Sequence, residues 1–324
     1  MNMKRKMIIA GALILLLIAI GLMGWDLFFS TTGDHVNPYA YDLDSLKSGD
    51  TSLVMYEEIQ QFKSGLSGIH GIATDRSDYI YVAGDNGVEI FDPSGKHFGG
   101  FAIDGSARCI HVDSVGQIYL GMQDHLEIYS TTGKRPRKWK SFSDKVIITS
   151  VAVKGKDVFV ADAGNKIVFQ FTADGNILRQ IGQKDPEKGI PGFVIPSPYF
   201  DLGTGHNGEL WVVNPGRHAF EQYNKEGDLV RTWGKATMAM EGFCGCCNPS
   251  HFAMLSDGSF VTSEKGIERI KVYSPNGDFR CVVAGPGSFI EGTKGLDLAV
   301  DSQDRIIVLD PEKNQVRIFT RKAK

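Results

Sequence analysis

The feature that most constrains this chain is a repeat. Six apolar triplets, Ile80-Tyr81-Val82, Ile118-Tyr119-Leu120, Val158-Phe159-Val160, Leu210-Trp211-Val212, Phe260-Val261-Thr262 and Ile306-Ile307-Val308, recur at spacings of 38, 40, 52, 50 and 46 residues. A second strand-like run follows each one, at 88–91, 126–129, 167–171, 220–223, 269–273 and 315–319. Five of the six units then turn at an X-Gly pair: Ser94-Gly95, Thr132-Gly133, Asp174-Gly175, Glu226-Gly227 and Asn276-Gly277. Glycine there supplies positive φ without a Cβ clash, the requirement of a tight hairpin. Residues 151–182 show a whole unit, four short strands with a turn after each. One such sheet buries too little apolar surface to stand alone, so the units must pack on one another. Four strands at a period near 40–50 residues mark a β-propeller. The expected fold is all-β, a six-bladed propeller of four-stranded antiparallel blades.

The sixth unit ends at Thr320-Arg321, before any fourth strand, while residues 52–62 (SLVMYEEIQQF) are strand-like and belong to no complete unit. The expectation is that 52–62 closes the last blade, making 51–324 one propeller domain without an open edge. Ahead of it, residues 7–25 run for nineteen residues without a charge, after Lys4-Arg5-Lys6. A run of about 20 apolar residues suits a membrane-spanning helix, and basic residues before it keep that end in the cytoplasm. A cleaved signal peptide is the rival, but the run is long for one and no Ala-x-Ala follows. Residues 1–25 are therefore expected to be a signal-anchor transmembrane helix and 26–50 a polar stalk. The protein would be single-pass, its N-terminus cytoplasmic and its propeller in the periplasm or outside the cell. The formal net charge is −3, and −3 − 3 = −6 with Lys4, Arg5 and Lys6 set aside, so there is no electrostatic reason to expect nucleic acid as a partner.

Three segments carry a family resemblance: HGIATDRSDYIYVAGDNGVEIFDPSGK (70–96), VAVKGKDVFVADAGNKIVFQFTADGNI (151–177) and LAVDSQDRIIVLDPEKNQVRIF (298–319). Each has an apolar-Ala-x-Asp start or a close variant, a turn, a Tyr-Val-type strand, a polar loop and a strand ending in Phe. This shape resembles NHL repeats and covers residue 52 to the C-terminus. The resemblance implies a six-bladed propeller and no particular function, because scaffolds, ligand sensors, lactonases and the peptidyl-amidating lyase share the fold.

In a four-stranded blade the links into first strands and the loops between second and third strands emerge on one face. Both long insertions, 183–198 and 235–249, lie on that face, and function is expected among these loops. Candidate ligand-binding residues there are Asn165, Arg217, His218, Glu264 and Lys265. The most unusual stretch is FCGCCNPSH (243–251). Cys244, Cys246 and Cys247, with His251 close by, suit a soft metal ion (Zn or Cu), an iron–sulfur centre, a disulfide or thiol exchange. Adjacent Cys246 and Cys247 are expected to point apart, leaving Cys244 and Cys247 to act together. With five cysteines in the chain, at least one must remain unpaired, bind something or bridge to another chain. His70, His111 and His251 fall on first strands, where three converging histidines would match the metal site of the amidating lyase. Their offsets differ, however, so alternation turns His70 away from the other two.

Common catalytic and cofactor motifs are missing: no Gly-x-Ser-x-Gly elbow, no His-Glu-x-x-His, no phosphate-cradling glycine loop and no haem attachment site. Two readings remain. One is a non-catalytic binding or scaffold propeller that offers its loop-rich face to a protein or small molecule. The other is a metal-binding or redox accessory protein, or an amidating-lyase-like enzyme, built on the cysteine loop and nearby histidine.

Overall fold

Aspartate sets the turns that make the blades. Asp75, Asp113 and Asp301 directly follow the first strands of their units, and each carboxylate accepts two backbone N–H groups of the turn. The pairs are Ser77 and Tyr79, Val115 and Gln117, and Gln303 and Arg305, at 2.8–3.0 Å. The side chain thus replaces backbone partners that a tight turn cannot supply. In this computed structural model the described residues are 3, 7, 11, 13–21, 51–134, 137–205 and 207–323.

The strands follow in order. β1 (Tyr56–Lys63) precedes the first blade, β2 (Ile69–Thr74), β3 (Ile80–Phe91) and β4 (His97–Ser106). The second blade is β5 (Cys109–Val112), β6 (Ile118–Gly121), β7 (Leu126–Tyr129) and β8 (Arg137–Lys138), and the third β9 (Ile148–Lys154), β10 (Asp157–Asp162), β11 (Ile167–Thr172) and β12 (Ile177–Ile181). The fourth is β13 (Leu202–Thr204), β14 (Leu210–Asn214), β15 (Ala219–Tyr223) and β16 (Leu229–Trp233). β17 (His251–Met254), β18 (Phe260–Glu264), β19 (Arg269–Tyr273) and β20 (Phe279–Ala284) form the fifth. β21 (Leu298–Val300), β22 (Ile306–Asp310) and β23 (Gln315–Arg321) begin the sixth, which β1 completes by pairing antiparallel with β23. Five sheets have four strands. The first has three, because β3 runs through Asp85-Asn86-Gly87 without a break, its first half on β2 and its second on β4.

The innermost strands neighbour one another around a ring: β2 beside β5, then β9, β13, β17, β21 and back to β2. The apolar core is divided accordingly into six clusters, one for each boundary between blades. Strand alternation produces this division. Ile306 and Val308 face the fifth blade while Ile307 and Leu309 face the first. Each blade is therefore half of two cores and complete in neither, so closing the ring is a condition of stability.

Chain contacts separate residues 1–43 from 44–324. The expectation of a single-pass membrane protein is corrected here. Among the described residues no helix is long and apolar enough to cross a membrane. Parts of 7–25, and all of the stalk assigned to 26–50, lie outside the described residues.

Candidate metal and ligand site at the channel mouth

The strand registers place one residue of each blade in a common layer. Ile72, Ile110, Val151, Leu202, Phe252 and Leu298 sit opposite the third members of the six triplets. The residues just before them are Gly71, Cys109, Ser150, Asp201, His251 and Asp297. Three blades thus bring polar, potentially ligating side chains to the same level on neighbouring innermost strands.

Both carboxylates are held by backbone across a blade boundary. Asp201 accepts the N–H of Phe252 at 2.9 Å and the Ser150 hydroxyl at 2.6 Å. Asp297 accepts the N–H of Ile72 at 2.9 Å. Each also accepts the N–H of its own next residue, Leu202 or Leu298. Between them stands His251, with Nδ1 3.4 Å from Asp297 and 3.8 Å from Asp201. One ligand atom from each of the three lies within 4.8 Å of the others. Burial pushes the Asp201 carboxyl up to about 6; the charge of His251 opposes this and that of Asp297 adds to it. Burial raises Asp297 as well, against the pull of His251. Asp201 is buried and Asp297 half-buried, and desolvation makes both carboxyls harder to ionise.

Two cavities meet at this cluster. A channel cavity of about 330 Å³ is lined by all six innermost strands and includes Asp201, His251 and Asp297. A second, of about 310 Å³, is lined from the loop-rich face by His70, Arg108, Tyr199 and Lys294 among others. His251, Arg108 and Thr149 belong to both.

The three histidines are not gathered into one site. His70 lines the outer cavity and is paired with Asp85 at 3.0 Å, whereas His111 lines the channel and is pushed down to about 4 by burial. Only His251 reaches both spaces, and its partners are aspartates. Sequence reasoning missed Asp201, Asp297 and Ser150. Each is the polar residue immediately before the apolar residue that pairs with the third member of its triplet, a position visible only once the six strands are aligned.

The other candidates have different surroundings. Asn165 is taken up by its own loop, bonded to Asp162 at 2.6 Å and Ser143 at 3.1 Å. Arg217 is exposed and His218 half-buried in a left-handed conformation at φ 56; neither lines the channel cavities. Glu264 and Lys265 are not a surface pair. Glu264 is buried and holds Arg269 at 2.8 Å and Lys271 at 2.7 Å, both buried too. Lys271 also donates to the carbonyls of Met240 and Gly242, tying the long insertion to blade five. Lys265 reaches Ser197 at 3.0 Å and lies 4.5 Å over the ring of Tyr199, which meets His251 edge-on.

The cysteine loop bends at Gly245, whose φ is 76. All five cysteines are free. Contrary to expectation, Cys246 and Cys247 come together, their sulfurs 3.1 Å apart, while buried Cys244 faces Arg269 Nη2 at 3.7 Å. Neither the soft-metal nor the iron–sulfur set is assembled among the described residues; the one metal-capable group there is Asp201, His251 and Asp297.

No protein-family model matches the chain, and no curated protein matches it. Solved structures do. A streptogramin B lyase is similar at TM-score 0.59 and 13% identity, over 82% of this chain and 98% of that one. A catalytically inactive histidine-to-alanine variant of virginiamycin B lyase from Staphylococcus aureus, with quinupristin, is similar at TM-score 0.55 and 14% identity, over 82% and 88%. The WD40 β-propeller domain of Doa1 is similar at TM-score 0.58 and 13% identity, over 82% and 97%. At such identities the likeness is one of fold, and the chain is a six-bladed β-propeller.

Proposed function

We propose that this propeller binds a small anionic molecule at its channel mouth, through a divalent cation held by Asp201, His251 and Asp297. The observation that carries the proposal is the convergence of three ligand atoms within 4.8 Å at the junction of two cavities. Two carboxylates and one imidazole suit Mn²⁺ or Zn²⁺ better than Cu(I). Arg108 and Lys294 around the outer cavity supply positive charge to the part of the ligand that faces solvent. The test is equilibrium dialysis of the full chain against Mn²⁺ and Zn²⁺. One ion per chain is expected, lost in His251→Ala; no saturable ion on the parent protein would overturn the proposal.

A second reading rests on Asp201. A carboxyl pushed up to about 6 beside a histidine is placed to exchange protons near neutral pH, as a general acid or base does. The lyases that share the fold give this reading context. Turnover of a candidate substrate with a pH profile breaking near 6, and lost in Asp201→Asn, would favour catalysis over binding alone.

A further inference from the structure

We propose that Cys246 and Cys247 form a vicinal dithiol that exchanges with external disulfides, a redox-responsive site on the rim of the channel mouth. The geometry separates these two from the other cysteines. Cys244 is buried against Arg269, Cys109 lies on β5 and Cys281 on β20, each inside an apolar cluster. Cys246 is exposed, and its sulfur lies 3.1 Å from that of buried Cys247. An external molecule therefore meets Cys246 first, and the second sulfur waits behind it.

The loop is held so that this order persists. The Asn248 side chain donates to the carbonyls of Cys244 and Lys265 and accepts the N–H of Lys265, clamping the loop to the turn after β18. Burial raises the Cys247 thiol, but hydrogen bonds from Ser197 and Cys246 and the Lys265 ammonium outweigh it, so Cys247 sits below the ordinary thiol value. The Cys246 thiol is raised by the neighbouring Cys247 sulfur, so Cys247 is the readier nucleophile of the two and is suited to the resolving step.

The exchange balances as follows. The Cys246 sulfur attacks one sulfur of an external disulfide RSSR, forming a mixed disulfide and expelling one RS⁻. The Cys247 sulfur then attacks the Cys246 sulfur, forming the Cys246–Cys247 bond and expelling the second RS⁻. The two thiol protons end on the two released thiolates. The protein dithiol loses two electrons, and the external disulfide becomes two thiols.

The experiment is incubation of the full chain with oxidised glutathione, followed by thiol counting and peptide mass analysis. The parent protein should lose both the Cys246 and Cys247 thiols, without a retained adduct, and the loss should reverse with reduced glutathione. Cys247→Ser should trap one glutathionyl group on Cys246, and Cys246→Ser should acquire neither adduct nor bridge. Cys244→Ser should behave as the parent. The proposal is overturned if the parent keeps all five thiols, if Cys244 supplies the bridge, or if Cys247→Ser carries no adduct. Cation binding in these variants is a separate reading, so failure here leaves the channel site unaffected.

Discussion

The Asp201 carboxylate accepts the backbone N–H of Phe252 at 2.9 Å across the boundary between the fourth and fifth blades. The same side chain faces His251. One residue therefore joins two blades and contributes to the candidate site, so its substitutions must be chosen to separate the two roles. Asp201→Ala leaves the Phe252 N–H without its acceptor and should cost about 1–3 kcal/mol of stability. Asp201→Asn keeps an acceptor and should cost less while still losing cation binding. Urea unfolding set beside ion dialysis checks the pair.

The raised carboxyl of Asp201 makes metal-free stability depend on pH. Between the ordinary aspartate value and about 6, the native protein holds a proton that the unfolded chain has released. This group's contribution therefore falls as pH rises through that window and is flat above it. Asp201→Asn should remove that slope. Cation affinity should run the opposite way, weakening about tenfold per pH unit below 6 as the proton competes. Denaturation and dialysis between pH 4 and 7 would show both.

Lys271 gives a second signal, at alkaline pH. Burial lowers its ammonium to about 8 in spite of the Glu264 charge. From pH 8 to the ordinary lysine range the unfolded chain holds the proton that the native state lacks, so this group's contribution rises with pH. The difference in stability between parent and Lys271→Met should carry that rise. Glu264→Ala, which strands Arg269 and Lys271 without their acid, should cost about 3–5 kcal/mol and loosen the cysteine insertion.

Closure of the last blade rests on Arg317. It makes a two-point contact with Glu58 of β1, at 2.6 and 3.1 Å, and lies 3.5 Å from buried Asp310. Arg317→Ala should cost about 3–5 kcal/mol, because Asp310 is left buried without its cation. Hydrogen exchange should speed up first in β1 and β23 if the damage begins at the closure.

Gly71 occupies the layer of Asp201, His251 and Asp297, where β2 passes close to β5. A Cβ there would lie 3.0 Å from Cys109 Cα and 3.1 Å from Ile110 N, both backbone atoms of the next blade. Gly71→Ala should cost about 1–3 kcal/mol. It should also weaken ion binding, since Asp297 is oriented by the adjacent Ile72 N–H. A calorimetric titration of this variant with Mn²⁺ checks the second effect.

The blade count and the strand triplets were legible along the chain. Both follow from local patterning: alternating apolar residues such as Ile306, Ile307 and Val308, turn glycines, and aspartates such as Asp75 and Asp301 that close turns within a few residues. Tertiary structure alone decided the site. Asp201, His251 and Asp297 stand about fifty residues apart and carry no shared motif. They meet because the ring sets three innermost strands side by side in register. The cysteines show the same limit at short range. Three thiols in four residues were conspicuous, but whether Cys247 would face Cys244 or Cys246 depended on the Asn248 clamp and on the buried charges of Glu264, Arg269 and Lys271. Packing against blade five settled the direction of each sulfur, and spacing along the chain does not encode it.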